Sequence, residues 1–149
     1  MEKPPRSQSL SVADMDISLS HCYITVHDPD LALAFYRDVL GLELRNDVAS
    51  EGFRWLTFSP PSQPDIEIVL VEPHAGRPAA DGDALLSLVT KGSLNAVIFR
   101  TSDLDGTFEK VRASGAEVLQ EPIDQPWGVR DCAVRDPSGN MIRINQATD

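Results

Sequence analysis

One pattern in this chain is written twice, and that repeat constrains the fold more than any single motif. His21-Cys-Tyr-Ile-Thr-Val-His-Asp28 returns as Ala96-Val-Ile-Phe-Arg-Thr-Ser-Asp103, an alternating run closed by aspartate, at an offset of 75 residues. Gly41 returns as Gly115 at an offset of 74. Gly52-Phe-Arg54 returns as Gly128-Val-Arg130, and Pro60-Pro61-Ser62 as Asp136-Pro137-Ser138, at 76. A repeat that carries strand alternation, caps and turns in register means two copies of one βαβββ unit.

Within the first copy, Cys22, Ile24 and Val26 alternate with His21, Tyr23, Thr25 and His27, the period of a strand with one apolar and one polar face. The polar face is where function would sit. Asp28 as N-cap, Pro29 at the first helical position and Gly41 as a left-handed cap predict a helix over 29–40. Its Leu31, Phe35 and Val39 form a stripe that can lie on the apolar face of the strand. In the second copy Asp103, the stripe Leu104, Phe108 and Val111, and Gly115 predict a helix over 104–114. The remaining pattern predicts strands at 17–27, 42–46, 53–59 and 65–72, then 96–102, 117–121, 128–135 and 141–146. The last two are joined by the turn Asp136-Pro-Ser-Gly-Asn140.

Residues 1–16 are polar, with Pro4, Pro5 and several serines, and read as a mobile leader. Module 17–72 is followed by a linker, 73–93, whose 81–92 portion has the spacing and terminal glycine of a short helix; module 94–146 completes the domain. A chain of 149 residues with 42% hydrophobic content supports one compact domain and is short for two of ordinary size. Two half-domains sharing one sheet are expected.

A formal net charge of −10 disfavours nucleic acid and anionic membrane, which it would repel, and is compatible with a small or cationic ligand. There is no apolar run long enough to span a bilayer and no basic-then-apolar start, so a cytoplasmic protein is expected. Cys22 and Cys132 both fall on the apolar phase of strands, which predicts buried free thiols rather than a disulfide or a nucleophile. No serine or cysteine nucleophile with a nearby base, glycine-rich phosphate cradle or redox cysteine pair is evident.

The His strand, the Asp28-Pro-Asp cap, the Ala34-Phe-Tyr-Arg-Asp-Val-Leu-Gly41 helix and the Asp136-Pro-Ser-Gly-Asn-Met-Ile142 turn together resemble the glyoxalase, bleomycin-resistance and extradiol-dioxygenase superfamily, the vicinal oxygen chelate proteins. The likeness covers about residues 17–146. It implies an α+β fold of two βαβββ modules forming a paired, U-shaped mixed sheet with a concave ligand cavity, in a homodimer. It does not fix a reaction, since the superfamily holds lyases, epimerases, dioxygenases, thiol transferases and inert drug binders.

Enzymes of the glyoxalase type hold a divalent metal with one ligand from the first and one from the last strand of each copy. Those positions map here to His21, Glu67, Ala96 and Arg143. The first copy keeps histidine and carboxylate, whereas methyl and guanidinium give a cation nothing to bind. The resemblance therefore implies remnant metal positions at His21 and Glu67 and no complete site. It also places Arg143 beside Glu67 and His21 as an ion-pair plug where a metal would lie, or as an anchor for an anionic ligand group.

Alternation adds further inward positions, and the candidate ligand-binding set is His21, Tyr23, Trp55, Glu67, Arg100, Asp131 and Arg143. Trp127 stands at the mouth. Aromatic and apolar walls with a few polar anchors suit a small organic ligand. Two readings stay open. One is a metal-free small-molecule-binding protein of the bleomycin-resistance sort, without cofactor. The other is a lyase, isomerase or dioxygenase with an atypical Zn, Ni, Mn or Fe site.

Overall fold

The computed structural model describes residues 11–148; most of the expected leader lies outside the described residues, and 11–20 are solvent-exposed, with one short 3-10 turn at Val12–Asp14. The first copy forms β1 (His21–Thr25), α1 (Pro29–Leu33), β2 (Glu43–Ser50), β3 (Phe53–Ser59) and β4 (Glu67–Val71). The linker carries α2 (Ala79–Thr90). The second copy forms β5 (Val97–Thr101), α3 (Leu104–Ala113), β6 (Val118–Asp124), β7 (Arg130–Arg135) and β8 (Met141–Gln146). Among the described residues no helix is long and apolar enough to cross a membrane.

Each copy closes its own four-stranded mixed sheet, in the orders β1-β4-β3-β2 and β5-β8-β7-β6. The architecture is α+β, as the repeat predicts, but the single shared sheet resolves into two. The cause lies in the pairing: β1 takes β4 as a parallel neighbour and β5 takes β8, so every strand finds its partners inside its own copy. The other pairs are antiparallel.

The aspartate caps work as read. Asp28 Oδ1 accepts from the backbone N–H groups of Asp30 and Leu31, and Asp103 Oδ1 accepts from that of Gly106. Gly41 and Gly115 end the helices at φ of +78° and +90°, where a side chain would be strained.

The first helix departs from expectation. After Leu33 it widens into a π-helical stretch, Ala34–Val39, with the Leu40 N–H donating to the Phe35 carbonyl. The wider turn shifts the phase of the buried stripe. Ala32, Phe35 and Tyr36 are buried, whereas Leu31, expected in the stripe, is 55% exposed. Phe35 and Tyr36 meet edge to face at 5.1 Å.

One continuous core joins both copies: Ile24, Phe35, Tyr36, Leu56, Phe58 and Leu70 from the first, and Leu104, Phe108, Val111, Val134, Ile142 and Ile144 from the second. Cys132 is buried in it. Cys22, expected to be buried, is exposed, because it opens the edge strand β1, where core burial begins only at Ile24.

The turn after β7 does more than reverse the chain. Asp136 Oδ1 accepts from the backbone N–H groups of Ser138, Gly139 and Asn140, which shapes the turn. Its Oδ2 accepts from the Asn140 amide and, at 2.6 Å, from the hydroxyl of Tyr36 in the other copy. Asn140 donates to the Thr25 carbonyl at 2.8 Å, and the His27 N–H donates to Ser138 Oγ at 2.9 Å. Three polar contacts thus clasp the second copy to the first. Burial raises the Tyr36 hydroxyl well above the usual tyrosine range, and the neighbouring Asp136 raises it further.

Candidate functional site

The helices cover one face of each sheet, and the candidate residues stand on the other. On the first sheet, cross-strand register sets His21 against Glu67, and Val69 between Tyr23 and Thr57; Trp55 stands opposite Val71. His21 Nε2 lies 2.6 Å from Glu67 Oε2, with both groups partly open to solvent. Tyr23 is 71% exposed. Trp55 is half-buried and meets Phe53 edge to face at 6.5 Å.

Ser20 was missed by the reading of the sequence, which finds no serine beside a base. Its Oγ lies 2.5 Å from His21 Nδ1. When His21 Nε2 carries its proton toward Glu67, Nδ1 is left to accept from the Ser20 hydroxyl, so hydroxyl, imidazole and carboxylate stand in one hydrogen-bonded row. The signal was present in the adjacent Ser-His pair, but the partner that orients the ring comes from a strand 46 residues away in register.

On the second sheet, Arg143 stands between Ile98 and Ala133, and Asn145 between Arg100 and Asp131. Arg143 donates to Asp131 Oδ2 at 2.9 Å and to Gln120 Oε1 at 3.1 Å. The other Asp131 oxygen accepts from the amides of Gln120 and Gln125, each at 2.9 Å. Burial alone would raise the Asp131 carboxyl, but hydrogen bonds from Gln120, Gln125 and Arg143, with the Arg143 charge, hold it below the usual carboxylate range. Neither glutamine was anticipated; Gln125 sits in the loop that carries Trp127, and nothing in one sequence marks it as the support of an aspartate on β7.

The candidates therefore form two clusters. His21, Tyr23, Trp55 and Glu67 share the first sheet's open face, and Arg100, Asp131 and Arg143 belong to the second sheet. The expected ion pair between Arg143 and Glu67 does not form within the chain, because each already has a partner in its own sheet, Asp131 and His21. Ala96 precedes β5 and offers only a methyl. Trp127, at the β6–β7 tip, is 69% exposed. Among the described residues no three His, Cys, Asp or Glu side chains gather where they could hold a metal ion. His74, which maps to no metal position, pairs with Asp83 at 2.8 Å.

Comparison with known proteins agrees with this geometry. The model of the Glyoxalase/Bleomycin resistance protein/Dioxygenase superfamily matches residues 18–144. The chain is 33% identical to the uncharacterized protein YurT of Bacillus subtilis (strain 168) over 123 residues, covering 83% of this chain and 94% of that protein. Among solved structures it resembles UcmS2, at 33% identity and a TM-score of 0.80, over 89% of this chain and 100% of the other. It also resembles TnmS3, an antibiotic binding protein from Streptomyces sp. CB03234, at 30% identity and a TM-score of 0.69, over 90% and 99% of the two chains.

Proposed function

We propose that this chain, which belongs to the glyoxalase/bleomycin resistance protein/dioxygenase superfamily by the match across residues 18–144, binds a small organic molecule on the open faces of its sheets without a resident metal. The observation that carries this reading is the state of the four positions at which glyoxalase-type relatives hold their ion. Glu67 is tied to His21, Arg143 is tied to Asp131, and Ala96 has no donor. A divalent ion needs three or four anionic or lone-pair ligands, and a guanidinium among them repels it. Likeness to an antibiotic binding protein supports a ligand of the drug-like, small-molecule class, and the chain's net charge of −10 suits one that carries positive charge.

In this reading the ligand lies between the first sheet of one chain and the second sheet of its partner chain in a homodimer. Both faces leave large apolar side chains in water, with Tyr23 at 71% and Ile98 at 61% exposure, and a homodimer of this kind would cover them. Tyr23 and Trp55 supply aromatic walls, and the His21–Glu67 and Arg143–Asp131 pairs supply fixed polar anchors. The acidic and hydrogen-bond-accepting edge of Glu67 is the natural contact for a cationic group.

A second reading, a metal-dependent lyase, isomerase or dioxygenase, is favoured by one observation. The two surviving ligand positions, His21 and Glu67, do stand together on adjacent strands at 2.6 Å. One experiment separates the two readings. Chain purified after growth with Zn, Ni, Mn and Fe is analysed by native mass spectrometry and elemental analysis. The proposal expects dimers with metal far below one equivalent per chain. Near-stoichiometric metal that disappears in Glu67→Ala overturns it in favour of the enzyme.

A further inference from the structure

The Ser20–His21–Glu67 row is held by the strand ladder rather than by a loop. Ser20 stands one residue before β1, and its carbonyl accepts from the Glu67 backbone N–H at 2.9 Å. The carboxylate of the same Glu67 takes His21 Nε2 at 2.6 Å, and His21 Nδ1 lies 2.5 Å from Ser20 Oγ. One residue of β4 thus fixes both the backbone of the serine and the ring beside it. A hydroxyl within hydrogen-bond reach of an imidazole whose far nitrogen is held by a carboxylate is the arrangement that activates a serine, whatever the fold. The imidazole takes the hydroxyl proton, and the carboxylate orients the ring and stabilises the imidazolium.

The backbone supplies a donor for the oxyanion that such an attack creates. The Ser20–His21 peptide is trans, so its N–H points opposite to its carbonyl. The carbonyl is turned to β4, which sends the His21 N–H off the free edge of β1. Among the described residues no acceptor meets it. In hydrolases of the α/β type the N–H of the residue after the nucleophile does the same service. His21 and Glu67 are both partly open to water, and a single oxyanion donor gives limited stabilisation. That combination suits an acyl group on a good leaving group, an aryl ester or thioester, rather than a peptide amide.

We propose that Ser20 is a nucleophile toward small activated esters, with His21 as its general base, Glu67 as the residue that positions His21, and the exposed Tyr23 on the same face as a shelf for the acyl chain. Ser20 Oγ bonds to the ester carbonyl carbon as its proton passes to His21 Nδ1. The bond from that carbon to the leaving oxygen or sulfur then breaks, and the leaving group departs with the electron pair and the proton. Water adds to the acyl-serine, its proton passes through His21 to Ser20 Oγ as the ester bond opens, and the serine is restored. Ester and water have become acid and alcohol or thiol. This activity rests on the metal-free reading of the same face, since an ion on His21 and Glu67 would occupy the base and its support.

The test uses the full chain and two probes. Hydrolysis of p-nitrophenyl acetate is followed by nitrophenolate release, and an alkyl fluorophosphonate, which stays on an activated serine with loss of fluoride, is located by peptide mapping. The label is expected on Ser20. Ser20→Ala should lower ester hydrolysis roughly tenfold or more, as should His21→Ala, with added imidazole restoring part of the rate of the latter. Glu67→Gln, whose amide oxygen can still accept from Nε2, should keep more activity than Glu67→Ala. His27→Ala, an exposed histidine outside the row, and Cys22→Ala, which removes the exposed thiol, should change nothing; all variants are compared at matching far-UV circular dichroism. A label found elsewhere or nowhere, hydrolysis unchanged in Ser20→Ala, or an equal loss in His27→Ala and His21→Ala would each overturn the proposal. Any of these in chain that elemental analysis finds free of metal strikes the nucleophile and leaves ligand binding standing, whereas near-stoichiometric metal lost in Glu67→Ala strikes both.

Discussion

Tyr36→Phe removes one oxygen atom from the middle of the molecule, and its cost can be worked out from the clasp. The ring stays, so the packing against Phe35 and Phe58 is kept and no cavity larger than a hydroxyl opens. What is lost is a buried 2.6 Å hydrogen bond to Asp136. Bonds to charged groups are worth about 1.5–3 kcal/mol when one partner is left behind. Asp136 Oδ2 keeps its bond from the Asn140 amide, which limits the loss to that one bond. For a chain of this size 1 kcal/mol corresponds to about 2–4 °C, so Tm should fall by roughly 3–12 °C.

The assay is urea unfolding followed by far-UV circular dichroism and by tryptophan fluorescence, with coincidence of the two transitions establishing two-state behaviour. Alkaline pH adds an internal check. The folded-state Tyr36 pKa is raised, so its contribution is complete below the unfolded tyrosine value of about 10 and is lost as pH rises from there toward the folded value. The gap between wild type and Tyr36→Phe should therefore narrow above about pH 10. A variant within about 0.5 kcal/mol of wild type at neutral pH, with an unchanged slope, would refute the clasp as a source of stability.

The Asp131 pKa is lowered in the folded state, so its contribution is present above the unfolded value of about 3.9 and is lost as pH falls through the folded one. Asp131→Asn should flatten the acid limb of the stability profile below about pH 4, and an unchanged acid limb would show that the Gln120, Gln125 and Arg143 network does not favour the charged form. Phe35→Ala, at a side chain 5% exposed, should cost about 3–5 kcal/mol by opening a cavity, whereas Tyr23→Ala should cost under about 1 kcal/mol; equal losses in urea unfolding would reverse the assignment of the two strand faces.

Much of the fold was legible because it is written in local chemistry. The boundaries of β3 and β8 coincide with expectation, and Asp28, Asp103, Gly41 and Gly115 cap as their types require. Errors arose where local pattern meets tertiary demand. β2 runs to Ser50 rather than Asn46, since a bulge between Leu44 and Asn46 breaks the alternation that would have marked it. The π-helical turn moved Leu31 out of the core, because a period of 3.6 had been assumed where the helix is wider. Phe99, on the helix-packing phase of β5, packs against the core while only partly buried, since β5 is an edge strand.

The site was half legible. Alternation placed Tyr23, Trp55, His21 and Glu67 on one face, and the His21–Glu67 pairing follows from the parallel register of β1 and β4. The partners of Arg143 were not legible. A guanidinium takes whichever carboxylate the folded backbone brings nearest, and sequence spacing says nothing about whether that is Glu67 or Asp131.

The clasp also settles how far the two halves remain interchangeable. Position 60 holds proline where the second copy holds Asp136, so only one half carries the hook, while Tyr36 and the Thr25 carbonyl of the other form the eye. A molecule assembled by recombination from two first halves would keep Tyr36 without any aspartate at the matching turn. It would bury a hydroxyl with no acceptor and lose the loop scaffold that Asp136 ties together. Ancestry by duplication is still readable in the strands and caps, but the halves have become a hereditary pair, and neither can now stand in for its twin.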